Sequence, residues 1–279
     1  DEGGLKPQYM DEIGLGYEYA LNQTLALGVD FLSRAWKNKI EDYDVGFAGS
    51  PYNNPDLDGN YHFANAVYPG WGSTYKKYNA VILKFKKNLG NDKFQFLASY
   101  TASWLKGFSG SDAEGTWGDD LFSDYNRLGW LPNDVRHMVK FNGNYFLPMD
   151  INLGVSLFWM TGMPFTETAS VYYPVNGKTY SYNVEQQGSR RYPATWRLDL
   201  RLEKKFIFAK RFAFSLYADV FNLFNNQVEV DRDNSVGTIM LEGNQPGAGY
   251  SVLTPNLDYG NYTQWYPPAS FFLGAKIEF

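Results

Sequence analysis

Histidine occurs only twice in this 279-residue chain, at His62 and His137, and cysteine not at all. His137 closes the run Leu131-Pro132-Asn133-Asp134-Val135-Arg136-His137. A carboxylate beside an imidazole is the pairing that moves protons in general acid–base catalysis, and some barrel proteases use one. The same polar residues can instead fasten a loop to the start of a strand by hydrogen bonds. That second reading is preferred, because no Gly-x-Ser-x-Gly elbow supplies a nucleophile. Metal chemistry leaves one trace, Asp56-Leu57-Asp58-Gly59-Asn60, whose alternating oxygens copy a calcium loop. The later bidentate Glu of a hand-type site is missing, so a turn is expected, and Asp231, Asp233 and Asn234 are read the same way. Without cysteine there is no thiolate metal site, iron–sulfur cluster or disulfide framework. No catalytic residue, metal or cofactor is expected.

Recognition chemistry is better represented. The run 106–135 carries Trp117, Tyr125, Arg127 and Trp130, and the run 162–194 carries Tyr172, Tyr173, Tyr180, Tyr182, Arg190 and Arg191. Tyrosine and tryptophan offer large contact areas at low entropic cost, and arginine offers a two-pronged grip on carboxylate or phosphate. Such a set suits a sugar or a peptide. It equally suits loops that pack on one another as a rigid cap. A second set, Arg197, Asp199, Arg201 and Glu203, alternates in sign at every other residue, with Asp219 further on. Balanced signs give no net field to draw an ion. Ion pairing along one wall, anchoring whatever fills its interior, is therefore expected over a solute path.

Composition and period define the elements that must position these residues. The chain is 44% hydrophobic and 18% aromatic, yet its mean hydropathy is −0.41. Its 22 Tyr, 21 Phe and 8 Trp exclude a disordered chain. The 25 basic against 30 acidic side chains exclude a general nucleic-acid binder. No stretch reaches the roughly 20 mostly apolar residues of a spanning helix. Apolar residues recur instead with period two, as in strands. Ile13, Leu15, Tyr17 and Tyr19 form one stripe, and Leu25, Leu27, Val29 and Phe31 the next. Val81 to Phe85, Phe94 to Trp104, Val139 to Tyr145, Ile151 to Trp159, Trp196 to Leu202 and Phe212 to Val220 follow by twos. The last stripe is Phe271, Leu273, Ala275, Ile277 and Phe279. Charges take the other parity, as at Glu18, Asp30, Lys84, Lys140, Lys276 and Glu278.

One apolar face and one wet face fit a soluble sandwich as well as a membrane barrel. Loop length separates the two. Short links near 21–24, 87–93, 147–150 and 206–211 alternate strictly with long ones at about 36–75, 106–135, 162–194 and 224–267. Loops beyond roughly 15 residues are uncommon in compact domains. Outer-membrane barrels combine short periplasmic turns with long extracellular loops. Tyr100, Trp104, Tyr145, Trp159, Phe206 and Phe208 lie near strand ends, where interfacial aromatic girdles sit. The expected fold is an all-β, transmembrane antiparallel barrel in a bacterial outer membrane. With the last strand ending in the periplasm, every long loop falls outside. An odd set of about nine strands covers only about 55 Å of wall. Residues 1–279 are therefore expected to be the C-terminal part of one larger barrel domain, whose earlier strands lie elsewhere.

Five short runs carry a family resemblance. The terminal stripe from Phe271 to Phe279 resembles the strand that the outer-membrane assembly machinery reads. Asp219-Val220-Phe221-Asn222-Leu223-Phe224-Asn225 resembles the segment near the end of TonB-dependent outer-membrane transporters. Leu131 to His137, Thr161-Gly162-Met163-Pro164 and Gly188-Ser189-Arg190-Arg191-Tyr192-Pro193 look like the Oar-like subgroup of that family. The resemblance covers nearly all of the chain. It implies a barrel of about 22 strands filled by an N-terminal plug, and import or export of a bulky solute driven by an inner-membrane TonB-type complex acting on that plug. Further partners it raises are outer-membrane lipid, the missing N-terminal barrel and plug (in the same or another chain), and an extracellular lipoprotein. A structural or adhesive surface barrel, whose loops bind partners without passing solute, is the alternative left open.

Overall fold

A computed structural model describes residues 4–44, 61–108, 121–174, 177–209 and 212–279. Its frame is nine long strands: β1 Tyr9–Ala20, β2 Leu25–Lys37, β3 Thr74–Lys87, β4 Phe94–Phe108, β5 His137–Leu147, β6 Ile151–Met160, β7 Thr195–Ala209, β8 Phe212–Phe221 and β9 Ser270–Glu278. Each pairs antiparallel with the next, so the wall is a plain meander with β1 and β9 at its two ends. A short strand, Leu128–Trp130, extends the loop-side end of β4.

Tight turns close one end of the meander. The Asn22 side chain accepts the N–H groups of Thr24 and Leu25, each at 2.9 Å, and so satisfies the β1–β2 turn. Met149 and Asp150 adopt φ of 65° and 56°. Two consecutive left-handed residues give the turn whose twist matches the flanking strands. All long loops leave from the opposite end.

The register converts the alternation of residues into two faces. Glu12 pairs with Arg34, Asp199 with Ser156, Arg201 with Asp219, and Ser215 with Lys276. One residue away, Leu15 pairs with Phe31, Leu200 with Val155 and Val220, and Leu216 with Ala275. A soluble sandwich would bury the second set against another sheet. Here Ile13, Leu15 and Leu273 are 61%, 67% and 67% exposed. The buried apolar cluster lies instead in the long loops, around Phe122, Val171, Tyr182, Ile239 and Leu241. An uncovered apolar face this extensive belongs against lipid, which only a strand wall with its backbone fully paired can face. On that face, charges among the described residues stand near strand ends: Asp11, Lys37, Lys77 and Lys106 on the loop side, Lys87 and Lys204 on the turn side. Long cationic stems can reach the interface from there.

This assignment predicts opposite outcomes for neighbouring substitutions. Leu200→Arg, halfway along the lipid face of β7, should cost about 2–4 kcal/mol. Ser156→Arg, on the charged face opposite Asp199, should cost little. Urea titration of the barrel in lipid vesicles measures both, and equal losses would refute the facing.

Candidate functional site

Three of the motif runs meet at the loop-side rim. Asp134 is 0% exposed. The main-chain N–H of Leu105 donates to its Oδ1 at 2.6 Å, and Arg136 donates to its Oδ2 at 3.3 Å. Arg191 pairs with the same Oδ2 and also donates to the carbonyls of Asp134 and Gly162, at 2.9 and 3.0 Å. One guanidinium thus ties residues 188–193 to both 131–137 and 161–164. Glycine makes the close approach feasible: a Cβ on Gly162 would lie 1.7 Å from the Tyr192 carbonyl oxygen, and one on Gly129 1.8 Å from that of Gln187. His137 is engaged elsewhere. Its Nδ1 lies 2.8 Å from the Tyr100 hydroxyl, and its main-chain N–H donates to Thr161 Oγ1 at 3.1 Å. Asp134 and His137 therefore form a loop-to-strand fastening and not an acid–base pair.

A second knot holds the start of the last long loop. Asn222, at φ 51°, donates its N–H to Asp199 Oδ1 at 2.8 Å. Its side chain donates to the carbonyls of Asn226 and Pro267, at 3.2 and 2.8 Å. Asn225 Oδ1 accepts the N–H of Ala269 at 2.9 Å. The Asp219-to-Asn225 run is thus a tie between β7, β8 and the approach to β9.

Above the rim the loops fold on one another. Lys178–Asn183, Thr168–Tyr173, Ser235–Leu241 and Tyr250–Pro255 form a four-stranded sheet, with its middle pair parallel. Most of the loop residues singled out for recognition serve this cap. Tyr125 stacks on Tyr182 at 5.5 Å, and Tyr173 packs on Phe122 at 5.3 Å. Arg190 is taken by Glu167 and Glu185, at 2.6 and 3.0 Å. Trp130 lies 4.2 Å beneath the Arg136 guanidinium. Tyr172 sits half-buried in the cap strand Thr168–Tyr173. Trp117 and the Asp56–Asn60 run lie outside the described residues.

Between cap and wall is a cavity of ≈ 820 Å³. Lys76 and Leu105 from the charged face, Arg127, Asn133, Phe165, Tyr192, Asp231 and Gln264 help line it. Tyr192 and Thr263 donate hydroxyls to Asp231, at 3.0 and 2.9 Å, and Arg127 donates to Ser181 Oγ at 3.1 Å. Hydrogen-bonding groups of both kinds beside aromatic rings can hold a polar solute with stackable faces. Sequence reasoning marked Arg127 and Asp231, but not Lys76, Asn133 or Gln264, whose meeting depends on loops distant in the chain. Lower on the same face, Arg197 pairs with Asp199 at 3.1 Å and Arg201 with Asp219 at 3.4 Å. Glu203 shares that face, and Arg201 also lies 4.2 Å over the Tyr217 ring. Phe271, Leu273, Ala275, Ile277 and Phe279 lie on the opposite, lipid-facing parity.

Two cap tyrosines carry a testable titration. Burial pushes the Tyr182 hydroxyl up, and burial together with its bond to Asp231 raises Tyr192. For acids raised by folding, the stabilising proton is fully present below the ordinary tyrosine value of about 10 and is lost as pH climbs past it. The cap should therefore loosen only in strong alkali. Tyrosinate absorbance should rise in two stages, with Tyr182→Phe and Tyr192→Phe each removing part of the later one. A single ordinary stage would refute it.

No family model matches the chain. The TonB-dependent transporter Oar of Myxococcus xanthus is 25% identical over 241 residues, covering 80% of this chain and 21% of that protein. The chain thus spans only a small part of that relative's length. Among solved structures, the ferric-catecholate import receptor Fiu of E. coli K12 superposes with a TM-score of 0.52 at 15% identity, covering 98% of this chain and 28% of that one. The Escherichia coli outer-membrane transporter YddB gives 0.52 at 12% identity, covering 98% and 33%. The FrpB iron transporter of Neisseria meningitidis gives 0.51 at 11% identity, covering 99% and 31%. At these identities the structures speak for the fold alone. The relatives are transporters and receptors, not enzymes. Lipid-facing wall, rim motifs and Oar-like sequence together place the chain in the outer membrane, where it resembles a barrel portion of TonB-dependent transporters.

Proposed function

We propose that this wall, joined to further strands and a plug, carries a bulky polar solute across the outer membrane, with the cavity beneath the cap as its capture point. The observation that supports this is a space of ≈ 820 Å³ on the water-facing side of a lipid-embedded wall. That volume is within the usual range of ligand pockets, about 300–1,000 Å³. Arg127, Asn133, Tyr192 and Asp231 are the solute-contacting groups in this reading, while Arg191 and Trp130 act by holding the rim. Residues 1–279 contribute part of a single barrel of about 22 strands. The Arg197, Asp199, Arg201, Glu203 and Asp219 row offers ion pairs for seating a plug, which a TonB-type inner-membrane complex would move. The Phe271-to-Phe279 stripe is the strand for the assembly machinery, and the cap is the surface for an extracellular lipoprotein.

The test compares cells that carry the whole protein, lack it, or carry Asn133→Trp, a substitution at an exposed position that fills the cavity. Transport predicts one extracellular solute whose depletion from the medium stops in both altered strains. Lost surface attachment with unchanged solute depletion would favour the adhesive reading and overturn this one.

A further inference from the structure

The lipid-facing side of β3 and β4 holds an arrangement that the transport reading does not use. Lys77 and Lys106 are direct register partners across the two strands. Partners on one face stand roughly 4.5–5.5 Å apart at Cβ, where like charges are destabilising. Among the described residues neither ammonium has a carboxylate within ion-pair distance. Each instead lies over an indole: Lys77 over Trp71 at 4.3 Å and Lys106 over Trp130 at 5.7 Å. Arg136 adds a third cation, 4.2 Å from Trp130 and 5.9 Å from Trp104. The carboxylate that pairs with Arg136, Asp134, is already shared with Arg191. The adjoining Lys37 and Asp11 satisfy each other at 2.7 Å. Among the described residues the ledge therefore keeps an uncompensated positive charge.

Its height on the wall identifies what compensates it. Trp104 ends the apolar stripe of β4, and Lys106 follows it on the same face, towards the long loops. That is where the wall leaves hydrocarbon and enters the headgroups of the outer leaflet, the level at which tryptophan settles. A phosphate there would accept charge-assisted hydrogen bonds from both ammonium groups and a guanidinium, while the acyl chains lie along the stripe below. We propose that Lys77, Lys106 and Arg136 form a binding site for the phosphate headgroup of an anionic outer-leaflet lipid.

The test uses the whole protein in phosphatidylcholine nanodiscs doped with diphosphoryl lipid A or its dephosphorylated form, with bound lipid counted by native mass spectrometry. Diphosphoryl lipid A should be retained, and the double variant Lys77→Gln, Lys106→Gln should weaken retention about 30-fold. The pair Lys86→Gln, Lys140→Gln, on the charged face, should leave it unchanged. Lys77→Glu gives Lys106 an internal partner, so it should raise the melting temperature while lowering lipid A retention. Equal retention of the two lipid A forms would overturn the proposal, as would retention unaffected by Lys77→Glu. Inorganic phosphate binding to the ledge as tightly as lipid A would overturn the lipid as its source.

Discussion

Asp134→Ala should destabilise the barrel rim by about 3–5 kcal/mol, the loss typical of removing one partner from a buried ion pair. The size follows from what the carboxylate holds. Its two oxygens serve the Leu105 N–H, Arg136 and Arg191, and no solvent reaches it. Alanine leaves a donor on β4 unsatisfied and two guanidinium groups facing each other across the gap. Arg136 keeps its place on Trp130, so the uncompensated charge falls mainly on Arg191. Asp134→Asn retains an acceptor for Leu105 and should cost less, about 1–3 kcal/mol. Thermal unfolding of the whole protein in detergent, followed by circular dichroism, ranks the two variants. If the alanine variant melts within the error of the parent, the cluster is not what fastens the loops.

The lock also shows what a single sequence reveals and what it hides. The wall was legible because lipid imposes one demand on every strand: Leu198, Leu200 and Leu202 must face out, so Arg197, Asp199 and Arg201 face in. That constraint is local and repeats every second residue. Loop chemistry has no such period. Arg190 and Arg191 are neighbours that looked equally fit to grip a solute, yet one is held by Glu167 and Glu185 and the other by Asp134. Glu185 is near Arg190 in the sequence, but Glu167 and Asp134 lie on segments that only the folded chain brings near. The parallel pairing of Thr168–Tyr173 with Ser235–Leu241 joins two different long loops, and nothing in either segment names its partner. The rim motifs were visible as words, and as a fastening at Asp134 and His137, but their convergence on one arginine was not. Their glycines were the available clue, since a glycine that no side chain can replace marks a close backbone approach. Read singly, each glycine was too common a residue to carry that meaning.

Gly162→Ala is the sharpest use of that clue. The new Cβ would meet the Tyr192 carbonyl oxygen at 1.7 Å, its carbonyl carbon at 2.4 Å and the Pro193 oxygen at 2.7 Å. All three are main-chain atoms, so no rotamer change relieves the clash, and one of the two segments must move. Moving either breaks the bond from Arg191 to the Gly162 carbonyl and disturbs the stack of Phe165 on Tyr192, at 4.6 Å. A cost of about 3 kcal/mol or more is expected, at the upper end for a single substitution. Because Arg191 joins Gly162 to Asp134, this loss should overlap with that of Asp134→Ala. The double variant should then fall short of the summed losses by about 0.5–3 kcal/mol. Full additivity would mean that the two positions stabilise separate structures. The cavity supplies a second readout, because Tyr192 lines it and donates to Asp231. Freed from that position, Tyr192 should ionise nearer the ordinary tyrosine range in Gly162→Ala. A variant that unfolds less readily than this, with Tyr192 still titrating late, would show that the rim tolerates the approach and that its glycine is not required there.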